Sequence, residues 1–297
     1  MRLWTQRAKL FVFFLVKGLL MNTLEQEHFI QVCNYFFTGK RQVPANEQPR
    51  MVFVFSSPGA GKSTRIKPLL QKSFATSPVL LEIDELKAFI PAGDNIDKTA
   101  DDWFCRIVDG ALDLKYNIII FRQRSMLQLK QTRDYLKKAR QNGYRTEVCI
   151  LALDKQRSRL GMVHRYEFAL ENYLKNPAAD DVQNYPRKPD FIKHGVFFAA
   201  LPIIVRMSEK SKYVERIDVY SRQGEHLAFL DKNSNLKSEL TPLQALRKER
   251  RRPWIYLERN KYNHRRQEVE EKMRQRKAGL WDKMMFRWMT STAKSRK

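Results

Sequence analysis

The chain has 297 residues, 43% of them hydrophobic and 11% aromatic, and its formal net charge is +24. This apolar content excludes disorder over the whole chain, and three cysteines without metal-site spacing argue against a disulfide framework and favour a reducing cytoplasm. The charge indicates a polyanionic neighbour, such as nucleic acid, an anionic membrane surface or an acidic protein; the alternative is a basic, soluble surface.

Residues 1–21 combine a basic start with an apolar run at residues 10–16, LFVFFLV. This run is too short to cross a bilayer, and no small-residue cleavage site of a signal peptide follows it. We therefore expect no transmembrane segment, a cytoplasmic protein and a functional start at Met21. Residues 42–50 are polar, contain two prolines and are typical of a linker into the first strand.

The most informative stretch is residues 51–64, MVFVFSSPGAGKST. Its first five residues are apolar, with β-branched and aromatic character, and predict a buried strand. Small residues and glycines then form a turn before Lys62, where a helix is predicted to begin. This succession of strand, loop and helix is the context in which the pattern G-x-x-x-x-G-K-[ST] indicates a phosphate-binding loop.

The backbone N–H groups of such a loop converge on phosphates, and the helix N-terminus adds a partial positive charge. Lys62 is predicted to reach the β- and γ-phosphates of ATP, and the Ser63 hydroxyl is predicted to bind Mg²⁺. Ser56 stands where the pattern has its first glycine, and the alternative is an ordinary glycine-rich turn between strand and helix. The predicted nucleotide-binding residues are Ser57, Pro58, Gly59, Ala60, Gly61, Lys62, Ser63 and Thr64.

A second strand is predicted at residues 79–84, VLLEID, with Asp84 at its carboxyl end. Ligands of open α/β sheets gather at the carboxyl ends of the strands. Asp84 is therefore a candidate general base or Mg²⁺ ligand. The alternative is that Asp84 is the N-cap of a short helix over residues 85–87.

Two further strands, at residues 116–121 and 147–153, alternate with amphipathic helices predicted at 99–114 and 125–142. This alternation indicates an α/β fold with a parallel sheet, right-handed crossovers and flanking helices. Arg122 and Arg124 follow the first of these strands, on the side where phosphates are expected. They are candidate substrate or phosphate contacts; the alternative is that both are solvated.

A helix is predicted at residues 155–174 with Arg157, Arg159 and Arg165 along it, and with a lone histidine that we interpret as structural. Such arginines either neutralise charge on a transferring phosphoryl group or are simply solvated. Another helix is predicted within residues 191–207, running up to Pro202. A terminal pair of strands is predicted at 216–219 and 226–229.

Residues 237–297 are interpreted as a basic tail that is helical or partly disordered. The segment carries about half of the net positive charge of the chain. Trp254, Trp281, Phe286 and Trp288 are interleaved with its basic residues. Three roles remain open: binding of nucleic acid, contact with an anionic surface, and an arm that packs its aromatic residues on the body.

Several ordered motifs make residues 22–230 resemble the zeta toxin family of P-loop kinases, the toxins of bacterial epsilon–zeta toxin–antitoxin systems. The segment around Arg165, Tyr166 and Glu167 is the most specific, because it is similar to the lid segment of the family. The resemblance implies a P-loop kinase domain over residues 22–236. The motifs are SSPGAGKST, LLEIDELKAFIP, YNIIIFRQRS, NGYRTEVCILAL, LGMVHRYEFALENYLKNP and RIDVYSRQGEHLAF.

The resemblance implies an ATP- and Mg²⁺-dependent kinase that phosphorylates the 3′-hydroxyl of a UDP-N-acetyl-amino sugar. It also implies an antitoxin protein as a partner. By motif, Asp84 matches the catalytic base of the family, Lys62 and Ser63 match its phosphate and Mg²⁺ contacts, and Arg165 matches its first lid arginine.

The chain departs from the family where Glu-Gly-Thr is replaced by Phe121-Arg122-Gln123, which removes a polar substrate contact. Arg124 and Arg187 are the candidate substitutes for two other arginines of the family. These departures and the basic tail keep two alternatives open. One is a kinase acting on nucleic-acid ends, and the other is a non-catalytic module that binds ATP or nucleic acid.

Overall fold

A computed structural model describes residues 23–91, 95–121, 126–175, 186 and 188–291. The chain divides into two compact units. The first is built from the chain up to Phe53, from Gln71–Arg122 and from Lys130–Glu147. The second is built from Val54–Leu70, from Gln123–Leu129 and from the chain after Val148. The predicted N-terminal segment 1–21 lies outside the described residues.

The described residues contain one seven-stranded sheet with the strand order β2-β3-β1-β4-β5-β6-β7. The strands are β1 (Arg50–Ser56), β2 (Val79–Leu81), β3 (Ile118–Ile120), β4 (Arg145–Leu151), β5 (Arg216–Tyr220), β6 (His226–Asp231) and β7 (Leu236–Lys237).

Helices lie between and after the strands. They are α1 (Thr23–Phe37), α2 (Lys67–Lys72), α3 (Ile83–Lys87), α4 (Ile96–Asp113), α5 (Leu129–Gln141), α6 (Lys155–Lys175), α7 (Phe191–Lys210), α8 (Pro242–Arg251), α9 (Tyr256–Gln275) and α10 (Leu280–Thr290).

In the first unit, β1 and β2 both pair with β3 in parallel, with Phe53 and Leu81 each in register with Ile120. All three residues of β3 are buried, as is expected of a strand covered on both faces. On α4, the apolar side chains at helical spacing that the sequence places there are buried, and Trp103 lies 5.6 Å from the ring of Phe29 on α1. The predicted α/β architecture is confirmed.

In the second unit, β5 and β6 form the predicted antiparallel pair, and the pairing runs from Arg216 opposite Asp231 to Tyr220 opposite His226. Helix α7 continues through Pro202 and ends at Lys210, so the helix is longer than the sequence predicts. Among the described residues, α7 is the one helix whose length and hydropathy match those of a membrane span.

The tail forms helices α8, α9 and α10; α9 and α10 pack against α6, and α8 packs against α7, β5 and β6, all within the second unit. Helix α8 begins with a capping box between Thr241 and Gln244. Phe286 is buried, whereas Trp281 and Trp288 are exposed. The apolar cluster that joins the tail to α6 consists of Leu160, Val163, Tyr262, Val269, Met273, Ala278 and Phe286.

Ion pairs accompany this apolar contact. Arg276 donates two hydrogen bonds, of 2.7 and 2.8 Å, to the two carboxylate oxygens of Glu167 on α6, whose side chain is 1% exposed. Lys272 pairs with Glu171 one turn further along α6. Because a buried carboxylate is costly without a partner, the Arg276 contact contributes to the stability of the tail interface.

We expect Arg276→Ala to lower the free energy of unfolding by about 3 kcal/mol, because it leaves the Glu167 carboxylate buried without its guanidinium partner. The matched control is Arg274→Ala, since Arg274 forms an exposed pair with Glu271 and its loss should cost about 0.5 kcal/mol or less. Urea denaturation of both variants measures the difference. Equal stabilities of the two variants contradict the role of Arg276.

Candidate functional site

The predicted phosphate-binding loop follows the buried strand β1, which ends at Ser56. The loop turns at Ser57, whose carbonyl oxygen accepts a hydrogen bond of 3.2 Å from the N–H of Ala60. Gly59 and Gly61 have φ angles of +75° and +99°. Side chains disfavour this left-handed region, so the two glycines give the loop a curvature that other residues oppose.

The residues after Gly61 form a π-helical turn over Lys62–Ile66 that continues directly into α2. The N–H of Arg65 donates to the carbonyl oxygen of Gly61 at 3.0 Å, which starts the helix at the glycine. Lys62 is half-buried, and Ser63 and Thr64 are exposed. The Ser63 hydroxyl is therefore accessible to a bound ligand.

The loop backbone at Gly59 lies unusually close to the backbone of helix α6. A Cβ atom on Gly161 of α6 would stand 2.3 Å from the carbonyl oxygen of Gly59. A Cβ atom on Gly59 would stand 2.3 Å from the carbonyl oxygen of Ser158 and 2.7 Å from the nitrogen of Met162. No side chain fits between the two backbones, so both positions require glycine.

A hydrogen-bonded chain fixes the same contact. Ser158 on α6 donates its hydroxyl proton to the carbonyl oxygen of Pro58 in the loop, at 2.7 Å. Its oxygen lies 2.8 Å from Nε2 of His194 on α7. Because the single hydroxyl proton is already donated, His194 must be the donor in the second bond, with its proton on Nε2.

His194 is fully buried at 0% exposure. Burial, assisted by the positive charges of Arg159, Lys155 and Arg250, lowers its pKa from 6.5 to about 4. The imidazole is therefore neutral at pH 7, which is the form that donates from Nε2 to Ser158.

The predicted strand through Asp84 is shorter in the structure, because β2 ends at Leu81 and α3 follows it. Asp84 is an exposed residue in the first turn of α3, where a carboxylate interacts favourably with the helix dipole. The N-cap position belongs to Glu82, so the interpretation of Asp84 as an N-cap residue is wrong.

The arginines of α6 differ in their surroundings. Arg165 is exposed, as a residue that contacts a ligand must be. Arg157 is buried and is held by Asp154 and Glu258, so its role is structural. Arg122, Arg124 and Arg187, the other candidate substrate contacts, lie outside the described residues.

Sequence reasoning missed Ser158, Gly161 and His194 as parts of the site. One signal was available for Gly161, because an isolated glycine inside a helical pattern often marks a close packing contact. No sequence pattern links Ser158 or His194 to the loop. The contact joins residues about a hundred positions apart, which only the fold brings together.

Comparison with known proteins identifies the fold and the family. A family model described as zeta toxin matches residues 34–234, which is more than half of the chain. No curated protein matches the chain. Several solved structures are similar to it, and three of them are described below.

One solved structure is a chain from the PezAT chromosomal toxin–antitoxin system of the human pathogen Streptococcus pneumoniae, with a TM-score of 0.61 and 19% identity. That match covers 86% of this chain and 96% of the other. The AvrRxo1-ORF1:AvrRxo1-ORF2 complex with sulphate ions gives a TM-score of 0.49 at 12% identity, covering 78% of this chain and 74% of that one. The native form of that complex gives a TM-score of 0.49 at 14% identity, and the match covers 78% of this chain and 73% of that one. At these identities the similarity concerns the fold.

We expect Gly161→Ala to displace the loop from α6, because the added methyl group overlaps the carbonyl oxygen of Gly59. The cost should be about 2 kcal/mol of stability, together with weaker ATP binding. Gly195→Ala is the matched control, since Gly195 is also helical and a Cβ there meets nothing within 4 Å. Thermal unfolding and ATP titration of both variants measure these effects, and identical ATP affinities contradict the prediction.

We expect the protein to lose stability as the pH falls from about 6.5 to about 4, in part because of His194. In this window the unfolded chain binds a proton at His194 and the folded chain does not, so acid favours unfolding. His194→Gln keeps an N–H donor for Ser158 without titrating. The free energy of unfolding of this variant should depend less on pH across the window than that of the parent protein. If the free energies of unfolding of the two proteins change equally with pH, the assignment of a neutral buried imidazole to His194 is contradicted.

Proposed function

Because the chain belongs to the zeta toxin family, we propose that it is an ATP-dependent kinase that phosphorylates a hydroxyl of a UDP-N-acetyl-amino sugar or a related small molecule. The single observation that carries this proposal is the geometry of the loop. Gly59 and Gly61 adopt left-handed conformations between a buried strand and the helix that begins at Lys62. This arrangement is the one that cradles phosphates.

The residues of the loop fit a nucleotide. Gly61 has no side chain to cover the backbone of the loop. It is followed by Lys62, which is half-buried, and by Ser63, whose hydroxyl is exposed. Lys62 would bind the β- and γ-phosphates, and Ser63 would hold Mg²⁺ through its hydroxyl. When bound, Mg²⁺ neutralises charge on these phosphates. Ser57, Pro58, Gly59, Ala60, Gly61 and Thr64 complete the nucleotide-binding set.

Arg165 is proposed to neutralise charge on the phosphoryl group as it transfers. Its position on α6 supports this role. It follows Gly161 by four residues, so it lies on the same helix face as the residues that contact the loop. Its exposure leaves the guanidinium accessible to a ligand.

Asp84 is proposed to act as the general base. Its carboxylate accepts the proton of the acceptor hydroxyl as that oxygen bonds to the γ-phosphorus. The bond from the γ-phosphorus to the bridging oxygen breaks, and ADP leaves. The exposure of Asp84 after the carboxyl end of β2 supports this role, because ligands of open sheets bind beyond the carboxyl ends of the strands.

We further propose an antitoxin protein as a partner and a cytoplasmic location. Support for the partner comes from the similar fold of a chain of the PezAT toxin–antitoxin system. A second candidate function is phosphorylation of nucleic-acid ends, which the net charge of +24 favours because polyanions bind basic surfaces.

The test is transfer of ³²P from labelled ATP to a panel of UDP-N-acetyl-amino sugars and oligonucleotides, with the parent protein and three variants. Asp84→Asn should lower transfer by at least about 10²-fold and leave ATP affinity nearly unchanged, because it removes the base and not a phosphate contact. Lys62→Ala should weaken ATP binding itself. Glu85→Gln is the matched control on the same short helix and should retain transfer.

Equal turnover by Asp84→Asn and the parent protein contradicts the assignment of the base. Transfer to oligonucleotide ends without transfer to sugars favours the second candidate function. Binding of ATP without transfer to any acceptor in the panel favours a non-catalytic nucleotide-binding module.

A further inference from the structure

A cavity of about 340 Å³ opens within the second unit beside the helix that follows the phosphate loop. Thr64 and Arg65 form one wall, and Arg222 of the turn between β5 and β6 forms another. Lys261 and Arg265 of α9 close it from the tail. The family match ends at residue 234, so Lys261 and Arg265 lie beyond the matched part of the chain.

The cavity is strongly cationic. Arg65, Arg222, Lys261 and Arg265 all line it, and within the described residues none of these four side chains forms a salt bridge or a side-chain hydrogen bond. Glu258 is the one carboxylate among the lining residues. The positive charge of the cavity therefore depends on whether Glu258 is available to neutralise it.

Glu258 is not available, because other groups already bind both of its oxygens. Arg252 donates to them at 2.6 and 2.7 Å, Gln223 donates at 2.9 Å, and buried Arg157 also pairs with this carboxylate. Four cationic side chains thus line the cavity, and its one lining carboxylate is paired with other groups.

The pKa of Arg222 shows the resulting repulsion. Burial lowers it most and the positive charges of Arg265 and Arg157 lower it further, to about 10, while Asp154 opposes them and Arg65 makes the smallest contribution. Guanidinium groups that repel one another across an empty space are stabilised when an anion enters it. Repulsion of this kind destabilises the free protein and favours the bound one.

We propose that this cavity binds phosphate groups of a small-molecule ligand, through Arg65, Arg222 and Arg265, and that the C-terminal helix α9 thereby forms part of a ligand site. Guanidinium groups match phosphate oxygens in geometry and charge. The volume lies at the lower end of the range for small-molecule sites, about 300–1,000 Å³. Leu160 and buried Tyr262 supply apolar surface for the rest of the ligand.

Two sources of phosphate fit the cavity. The first is the nucleotide held by the phosphate loop, because Thr64 belongs both to the predicted nucleotide-binding set and to the wall of the cavity. The second is a separate phosphorylated molecule. The first source rests on the proposed function, whereas the second does not.

The test measures binding of pyrophosphate to the full chain by calorimetry at fixed ionic strength. It uses a Lys62→Ala background, which weakens binding at the phosphate loop. In this background, Arg222→Gln and Arg265→Gln should each weaken pyrophosphate binding at least about tenfold, because each removes a charge-assisted contact. Arg259→Gln is the matched control, since Arg259 is an exposed arginine of α9 outside the cavity lining.

Melting temperatures without ligand confirm that the variants fold, and those of Arg222→Gln and Arg265→Gln should equal or exceed that of the background. ATP titration with Lys62 intact then separates the two sources. Weaker ATP binding in Arg265→Gln assigns the cavity to the loop-bound nucleotide, and unchanged ATP binding assigns it to a separate ligand. Equal pyrophosphate affinities across all variants, or no binding in the Lys62→Ala background, overturn the proposal. Both of these results concern pyrophosphate binding at the cavity and leave the proposed phosphoryl transfer untouched.

Discussion

The close contact between Gly59 and Gly161 is the constraint on which the second unit depends. Here the phosphate loop and helix α6 approach until no Cβ atom fits between them. The hydrogen bond from the Ser158 hydroxyl to the Pro58 carbonyl oxygen fixes the orientation of this contact. Neutral His194 donates from Nε2 to the same hydroxyl oxygen and so orients the serine. Such support suits the proposed phosphate-binding role of the loop, because fixed N–H donors need no reorganisation when a phosphate binds.

Helix α6 faces the loop with one side and the tail with the other. Ser158, Gly161 and Met162 lie towards the loop, and Leu160 and Val163 lie in the apolar cluster shared with α9 and α10. A helix of 3.6 residues per turn separates these two sets by roughly half a turn. The same helix therefore contacts both the glycine-rich loop and residues 242–290, which lie beyond the family match.

Charge is distributed unevenly along this interface. Some arginines of the tail and of α6 are compensated, as Arg252 and Arg157 are by Glu249 and Glu258, and these bind the tail to the body. Within the part of the chain that the structure describes, Arg222 and Arg265 form no salt bridge. Paired charges stabilise the fold only when both partners are present, whereas unpaired ones favour binding of an anion. The tail thus has two separable contributions, one to stability and one to the cationic cavity.

The sequence by itself determined the glycine-rich turn between β1 and the helix at Lys62, the parallel arrangement of the central strands and the family. These follow from local patterns: an apolar strand, glycines at fixed spacing and a helix that begins at Lys62. The sequence placed the ends of some elements wrongly: β2 ends at Leu81, before Asp84, and α7 continues through Pro202 to Lys210. Only the tertiary structure decided that Gly161, Ser158 and His194 support the loop and that Arg265 faces the cavity with Arg222. These contacts join segments distant in the chain, and no local pattern encodes them because they arise from the packing of helices against one another.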